Sequence, residues 1–178
     1  MAVTIKQNEA EPADWPATPS GLSPAAAALD PAVIWTRIET YVRVRWSVRA
    51  VTWLVEGPGQ WEPPLSPATV TTIEVWRNGA WEALVPPAAP IGGFLLNCDG
   101  PYRFTATVGG DEVPPAGKES FRRLAEYMAA KPGKPGAVSE SVSAGSVSLS
   151  HRRAPDWMAS AMVNSGAADL LRSYRRVA

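Results

Sequence analysis

Nucleophilic catalysis has few candidate residues in this chain, because its 178 residues include a single histidine, His151, and a single cysteine, Cys98. A Ser–His–Asp or Cys–His arrangement would have to use His151. That histidine follows a serine-rich stretch and precedes Arg152 and Arg153, which is a poor setting for a positioned base. No G-x-S-x-G motif is present. We therefore interpret His151 as a surface residue and predict that the chain is not an enzyme.

The sequence contains no motif that would indicate catalysis with a cofactor or a metal ion. The stretch "GPGQWE" has only two of the three glycines of a dinucleotide-binding turn, and it leads from a strand into a loop. One cysteine and one histidine cannot form a structural zinc site, and no acidic run resembles a calcium loop. The carboxylates are scattered, so no glycosidase pair is indicated. The sequence predicts no cofactor and no metal.

Tryptophan is the residue type that most favours a binding role, because the chain contains eight. Five lie in or beside the sheet predicted below: Trp46, Trp53, Trp61, Trp76 and Trp81. Exposed indoles on a sheet could stack sugars, whereas buried indoles would fill the core of a small domain. Trp46 and Trp53 alternate with apolar positions, which favours the core. A carbohydrate-binding or host-contact module that uses this sheet is the alternative function.

Charge is balanced overall but differs between the two ends. Residues 1–30 hold one lysine against four carboxylates, whereas residues 151–178 hold five arginines against two aspartates. This polarity suits head-to-tail contacts or an acidic partner. Arginine and aromatic residues mix in "SFRRLAEY" and "LLRSYRR", but no basic stripe crosses the sheet. We predict no sequence-specific nucleic-acid binding.

Neither a signal peptide nor a membrane span is indicated. The start, "MAVTIKQNEAEPADWP", lacks a basic region followed by an apolar run. No apolar stretch approaches the ~20 residues that a membrane helix needs. The expectation is a protein made in a cytoplasm, without membrane contact.

The elements that would position these residues begin with a proline-rich segment. Residues 1–29 contain Pro12, Pro16, Pro19 and Pro24 and few apolar residues, which predicts a flexible N-terminal arm. A helix is predicted over about 31–45, with Asp30 as its N-cap.

The middle of the chain indicates an antiparallel sheet over about 47–109. The run "TTIEVWRNGAWEALV" contains Asn78-Gly79, which is typical of a type I′ hairpin turn. Asp99-Gly100 is interpreted as a second hairpin turn. About five strands are expected.

Two further helices and one extended segment are predicted after the sheet. Phe121, Leu124, Ala125 and Met128 recur at helical spacing and predict a helix over about 117–130. Residues 137–150 are rich in serine and indicate an extended segment, with a flexible linker as the alternative. The last helix is predicted over about 156–175, weakened by Gly166. The fold class is thus α+β: a small bundle of about three main helices with an inserted antiparallel sheet of about five strands.

The C-terminal half resembles the head–tail connector, or adaptor, family of long-tailed phages and gene transfer agents. The resemblance rests on "VPPAGKESFRRLAEYMAA", then "SESVSAGSVSLS", then "NSGAADLLRSYRR". The family has an extended segment of the form S-x-S-V-G-x-x-S-x-S and a helix ending on LL-x-x-Y-R; Ser173 stands here where a proline is common. The stretches "VEGPGQWEPPLSP" and "GPYRFTATVG" resemble a β insertion of some members. The resemblance covers about residues 30–178, which would form a single connector domain.

This resemblance implies a structural virion protein at the head–tail junction, assembled in a bacterial host cytoplasm. Family members form a ring, usually of twelve copies, under the portal protein. The ring extends the DNA channel and joins the capsid to a tail-side stopper or terminator protein. Genomic DNA would pass through without sequence-specific binding.

The resemblance also assigns roles to individual residues. Six would dock on the portal: Leu170, Leu171, Arg172, Tyr174, Arg175 and Arg176. The extended segment, with Ser141, Val142, Val147 and Leu149, would lie across a neighbouring subunit and gain order on assembly. In the docking segment, leucine and tyrosine would anchor, while the arginines would pair with acidic groups of the partner.

Overall fold

The computed structural model describes residues 2–130, 139–144, 147–152 and 158–176 and divides the chain into two compact units. The sheet unit consists of Met1–Pro16, Arg43–Glu112 and Arg176–Ala178. The helical unit consists of Ala17–Val42 and Val113–Arg175. Each is described by itself below.

Antiparallel strands dominate the sheet unit. Its strands in chain order are β1 Val3–Glu9, β2 Arg49–Glu56, β3 Gly59–Trp61, β4 Ala68–Arg77, β5 Ala80–Ala83, β6 Phe94–Leu96 and β7 Tyr102–Val108. Five of them form one sheet in the order β1-β2-β7-β4-β5, and β3 pairs with β6 separately. All of these pairings are antiparallel.

The core of the sheet unit lies on one face of the five-stranded sheet. Alternate residues of β2 and β7 are buried, including Trp53, Tyr102 and Phe104, none of which is exposed to solvent. Trp61, from β3, covers this face, and its ring centroid lies 4.2 Å from that of Phe104 and 5.7 Å from that of Trp53. Packed aromatic pairs at such distances add to the free energy of apolar burial.

The two hairpin predictions have different outcomes. Asn78 and Gly79 have φ values of 49° and 82° and join β4 to β5, which confirms the first turn. Gly100 also has a positive φ, 85°. The second prediction is wrong about the pairing, however, because β6 pairs with β3 and β7 pairs with β2 and β4.

The helical unit contains two helices of more than one turn among its described residues. These are α2 Pro31–Val42 and α3 Pro115–Ala129; the short α1, Pro24–Ala27, precedes them. The backbone N–H of Ala32 donates to Asp30 at 2.9 Å, so Asp30 closes the start of α2 as predicted. Residue Arg43, with φ 60°, follows its end.

The first two long helices pack through aromatic side chains. The rings of Trp35 and Phe121 are 4.8 Å apart and tilted by 42°. Phe121, Leu124 and Ala125 are buried, as their helical spacing predicted. The bounds predicted for these two helices, 31–45 and 117–130, agree with the structure to within three residues at each end.

The predicted third helix, 156–175, is wrong as a continuous element. Residues 156 and 157 lie outside the described part of the chain. The rest contains α4 Ala161–Asn164, α5 Ala167–Leu170 and a 3₁₀ turn, Arg172–Tyr174. Gly166, with φ 73°, separates α4 from α5 because a left-handed residue ends an α-helical run.

The fold class therefore needs correction. This is a mixed α/β protein dominated by a five-stranded antiparallel sheet, not a three-helix bundle with an inserted sheet. The prediction failed because the last helix divides into pieces of four residues, and because the bulky aromatic side chains gather in the sheet unit.

The N-terminal segment also differs from its prediction. Residues 3–9 form the edge strand β1, paired with β2, instead of part of a flexible arm. Its polar residues gave no sign of burial, but they meet buried polar groups of the sheet unit, as described below.

The serine-rich segment 137–150 forms two strands where it is described. Strands β8 Ser139–Ala144 and β9 Val147–Arg152 pair antiparallel as a two-stranded sheet of their own. Residues 137, 138, 145 and 146 lie outside the description. No helix in the described residues has the length and hydropathy needed to cross a bilayer.

Candidate assembly surfaces

The six residues predicted to dock on a portal fall in different environments. Leu171 is fully buried in the chain, and Leu170 is half-buried. Arg172 and Tyr174 are exposed, the latter by 38%. An apolar anchor is therefore offered to a partner by Tyr174 and part of Leu170, because Leu171 is already covered.

The arginines of this segment make three different contacts. Arg172 lies 3.4 Å from Asp169, with both side chains more than three-quarters exposed. The guanidinium of Arg175 lies over the ring of Tyr41, 5.4 Å from its centroid. Such exposed pairs stabilise a fold by at most about 1 kcal/mol, so a partner could replace these contacts at little cost.

Arg176, the last described residue, belongs to the sheet unit. Its guanidinium pairs with Glu62 and donates to the carbonyl oxygen of Pro63 at 3.2 Å. Clefts of about 410 and 370 Å³ share Arg176 and Glu62 in their walls. Arg176 is thus assigned to a different unit from the other five docking candidates, which belong to the helical unit.

Helices α4 and α5, at the start of the predicted docking residues, pack mainly through small side chains. Ala161 and Ala167 are fully buried, and Ala168 is 8% exposed. The Oγ of Ser120, in α3, lies 3.3 Å from the carbonyl oxygen of Ala167. Because alanine buries little apolar area, this region is stabilised less per residue than the aromatic core.

The β8–β9 register fixes which residues of the extended segment share a face. Val142 is opposite Leu149, and Ala144 is opposite Val147. The intervening pairs are serine with serine: Ser141 with Ser150 and Ser143 with Ser148. Since strand residues alternate between faces, the register places Val142, Ala144, Val147 and Leu149 on one face together with Glu140 and His151, and the serines on the other face together with Arg152. The four residues predicted to contact a neighbouring subunit thus lie together in one hairpin.

Strand β1 offers a second open edge, and it is held in place by polar contacts. Thr4 accepts a hydrogen bond from the indole N–H of Trp61 at 2.8 Å. Gln7 accepts one from the indole N–H of Trp53, also at 2.8 Å. Both indoles are buried, so β1 satisfies two donors that would otherwise lack partners. Val3 and Ile5 remain 53% and 55% exposed.

Glu9 completes this attachment through two buried arginines. Its carboxylate lies 2.5 Å from Arg45 and 3.0 Å from Arg49, whose side chains are 8% and 7% exposed. Burial alone would raise the pKa of Glu9, but the hydrogen bonds and charges of Arg45 and Arg49 outweigh burial and lower it. The last residue of β1 is therefore fixed to the sheet unit by a charged network.

Sequence reasoning missed β1 because its inner residues are polar. A signal was nonetheless present: residues 3–9 are free of proline and begin with the β-branched residues Val3, Thr4 and Ile5, which favour a strand. Buried indole and guanidinium groups need such acceptors, and only the three-dimensional arrangement shows which residues supply them.

The five tryptophans in or beside the predicted sheet differ in exposure, which decides between a role in the core and a role in sugar stacking. Trp46, Trp53 and Trp61 are at most 6% exposed and belong to the interior. Trp76 is 42% exposed and half-buried Trp81 lies directly opposite it, with ring centroids 5.3 Å apart in an edge-to-face arrangement. A sugar-stacking role for the first three is thus not available, and only the last two could support it.

The side chains of the described residues contain no cluster of three His, Cys, Asp or Glu that could hold a metal ion. His151 lies in β9. Cys98 is half-buried and lies 2.8 Å from the hydroxyl of Tyr102. A hydrogen bond from Tyr102, with the nearby guanidinium of Arg77, lowers the pKa of the Cys98 thiol.

Comparison with protein families, curated proteins and solved structures found no match for this chain.

Proposed function

We propose that this chain is a structural, non-enzymatic subunit of a head–tail connector ring in a virion. The observation that carries the proposal is the β8–β9 hairpin, a two-stranded sheet with two edges that pair with no other described strand. Isolated two-stranded hairpins are marginally stable in water, so we expect contact with another polypeptide to stabilise this one. The resemblance of the surrounding motifs to the connector family indicates that this polypeptide is a neighbouring subunit of a connector ring.

In this proposal the ring, usually of twelve copies, lies beneath the portal protein and continues the DNA channel. A stopper or terminator protein binds its tail side, and DNA passes through without base-specific contacts. The neutral net charge of the chain agrees with a passage that does not hold DNA tightly. The exposed end of the helical unit, with Arg172, Tyr174 and Arg175, docks on the portal.

The docking step can be tested with the full chain and the portal of the same particle. Removing residues 168–178 would expose the helical core, because Ala168 and Leu171 are buried. The better variant is Arg172→Glu with Tyr174→Ser, since both side chains are exposed. Lys118→Glu, an exposed charge reversal in α3, is the control.

Mass photometry and negative-stain imaging should show that the wild type and the control bind portals. The double variant should bind at least tenfold more weakly while keeping its circular dichroism. If the wild-type protein does not bind portals, or if the double variant binds them normally, the docking role is contradicted.

A second candidate, a carbohydrate-binding or host-contact role, is favoured by the exposed pair Trp76 and Trp81. Exposed indoles can stack on sugar rings. Titration of tryptophan fluorescence with oligosaccharides should then give a saturable change that Trp76→Ala abolishes. A spectrum that is unchanged by all sugars removes this candidate.

A further inference from the structure

The β8–β9 hairpin has open strand edges, and these edges indicate that an additional strand would complete its sheet. Each strand has one edge paired with the other and one edge open among the described strands. By register, Val142, Ala144, Val147 and Leu149 share one face of the hairpin with Glu140 and His151. An additional strand would supply the backbone partners that a two-stranded sheet lacks.

The free edge of β1 has the matching properties. Among the described strands β1 pairs only with β2, so its other edge is open over seven residues, against six in β8. Thr4, Gln7 and Glu9 hold it to the sheet unit, so the edge is already ordered. A preorganised edge loses little conformational entropy on pairing.

Charge indicates which hairpin strand fits this edge. The carboxylate of Glu9 is neutralised by Arg45 and Arg49, which leaves Lys6 as the exposed charge of β1. The only charged residue of β8 is Glu140, whereas β9 ends on Arg152. A register shift between Thr4 and Lys6 leaves Ile5 without a partner in β2. A lysine and a bulge both discourage indiscriminate edge pairing, so a strand with a matching carboxylate is favoured.

We propose that β8 of one copy pairs with the free edge of β1 in a second copy of this chain, a contact that rests on the proposed ring assembly. The two surfaces belong to different units, since β1 is in the sheet unit and β8 in the helical unit. Each copy therefore carries one donor strand and one acceptor edge. Contacts between two unlike surfaces repeat from copy to copy, and they close into a ring when the rotation between copies divides a full turn.

The experiment uses one variant for each surface of the full chain. Ile5→Asp places a charge on the acceptor edge, and Val142→Asp places one on the donor hairpin. Val33→Asp and Val163→Asp are controls, because these valines are 47% and 70% exposed in the helical unit. Sedimentation velocity over a range of concentrations measures the assembly state, and circular dichroism verifies folding.

Wild type and controls should self-associate, and each surface variant should do so at least tenfold more weakly. An equimolar mixture of Ile5→Asp and Val142→Asp should form a dimer and stop there, because only one intact donor and one intact acceptor remain. Monomeric wild type at all concentrations, unaffected assembly of either variant, or a mixture without the dimer overturns the proposal. Pairing of hairpin with hairpin would leave the assembly of Ile5→Asp unaffected, because that variant keeps its hairpin intact.

A charge exchange tests the strand and its register without introducing charge into apolar positions. Lys6→Glu and Glu140→Lys should each weaken self-association severalfold, and the double variant should recover it. Failure of the double variant to recover contradicts pairing of β8 with β1. Portal binding, measured separately, distinguishes the two proposals. If the protein binds portals but the strands do not pair, only the strand-pairing proposal fails. If the strands pair but the protein does not bind portals, the connector role fails.

Discussion

The sheet unit and the C-terminal helices bury side chains of very different size. In the sheet unit, Trp53, Tyr102 and Phe104 are fully buried and interlock with Trp61. In the C-terminal helices, the buried side chains are mainly those of Ala161, Ala167 and Ala168. Large aromatic side chains fix one arrangement strongly, whereas alanine contacts contribute little area and can be exchanged. The comparison separates a core fixed by aromatic side chains from the region where portal docking is proposed.

The largest expected effect comes from opening the aromatic core. Phe104→Ala removes a ring that is fully buried and should lower the free energy of unfolding by about 4 kcal/mol. Trp76→Ala, on the exposed side of β4, is the matched control and should cost about 1 kcal/mol or less. Urea unfolding measures both values; equal losses would show that the core does not dominate the stability of the sheet unit.

Loss of the Glu9 carboxylate should have the next largest effect. Glu9→Gln removes the carboxylate that pairs with the buried guanidinium groups of Arg45 and Arg49 and should destabilise the protein by about 3 kcal/mol. Glu11→Gln, two residues further on and exposed, should change little. Hydrogen exchange of β1 amides should quicken in the first variant only. Unchanged exchange in Glu9→Gln would mean that apolar contacts alone hold the strand.

The same carboxylate predicts a dependence of stability on pH. The pKa of Glu9 is lowered below its ordinary value of 4.5, so its stabilising contribution is complete above pH 4.5 and is lost as the pH falls through the folded-state pKa. Glu74, Glu119 and Glu126 also have lowered pKa values and act in the same direction.

The difference in unfolding free energy between wild type and Glu9→Gln isolates this term. It should be constant from pH 5 to 7 and should shrink in more acidic solution. A difference that grows on acidification would contradict the assigned direction of the shift.

A smaller effect is expected at the break between α4 and α5. Gly166 has φ 73°, and a Cβ there would lie 3.3 Å from a terminal nitrogen of Arg123, a flexible side chain. Gly166→Ala should therefore cost about 1 kcal/mol, mainly from the left-handed conformation. Thermal unfolding monitors the loss. A stabilised variant would indicate that α4 and α5 can join into one helix.

The smallest effect concerns one thiol in the sheet unit. The pKa of Cys98, measured from the pH dependence of alkylation, should lie below 9.0 because the hydroxyl of Tyr102, 2.8 Å from the sulfur, stabilises the thiolate by hydrogen bonding. Tyr102→Phe should raise that pKa toward 9.0. An unchanged profile would show that the hydroxyl does not act on the thiol.

Local signals predicted much of the secondary structure. The caps and periodicity of α2 and α3 and the Asn78-Gly79 turn depend on neighbours within a few residues, so they could be read directly. The placement of Val142, Ala144, Val147 and Leu149 on one face of the β8–β9 hairpin likewise follows from alternation once the strands are paired. The predicted portal-docking role of the terminal residues and the predicted ring stay predictions.

What the sequence determined by itself was thus helices α2 and α3, the Asn78-Gly79 hairpin, the absence of catalytic motifs and the unequal charge of the two ends. Tertiary structure decided that a polar N-terminal segment is an edge strand, that Trp53 and Trp61 are interior while Trp76 is exposed, and that Leu171 is covered. The physical reason is that burial of a polar strand depends on distant donors. Thr4, Gln7 and Glu9 are stabilised by residues 36 to 57 positions away, which no local pattern specifies.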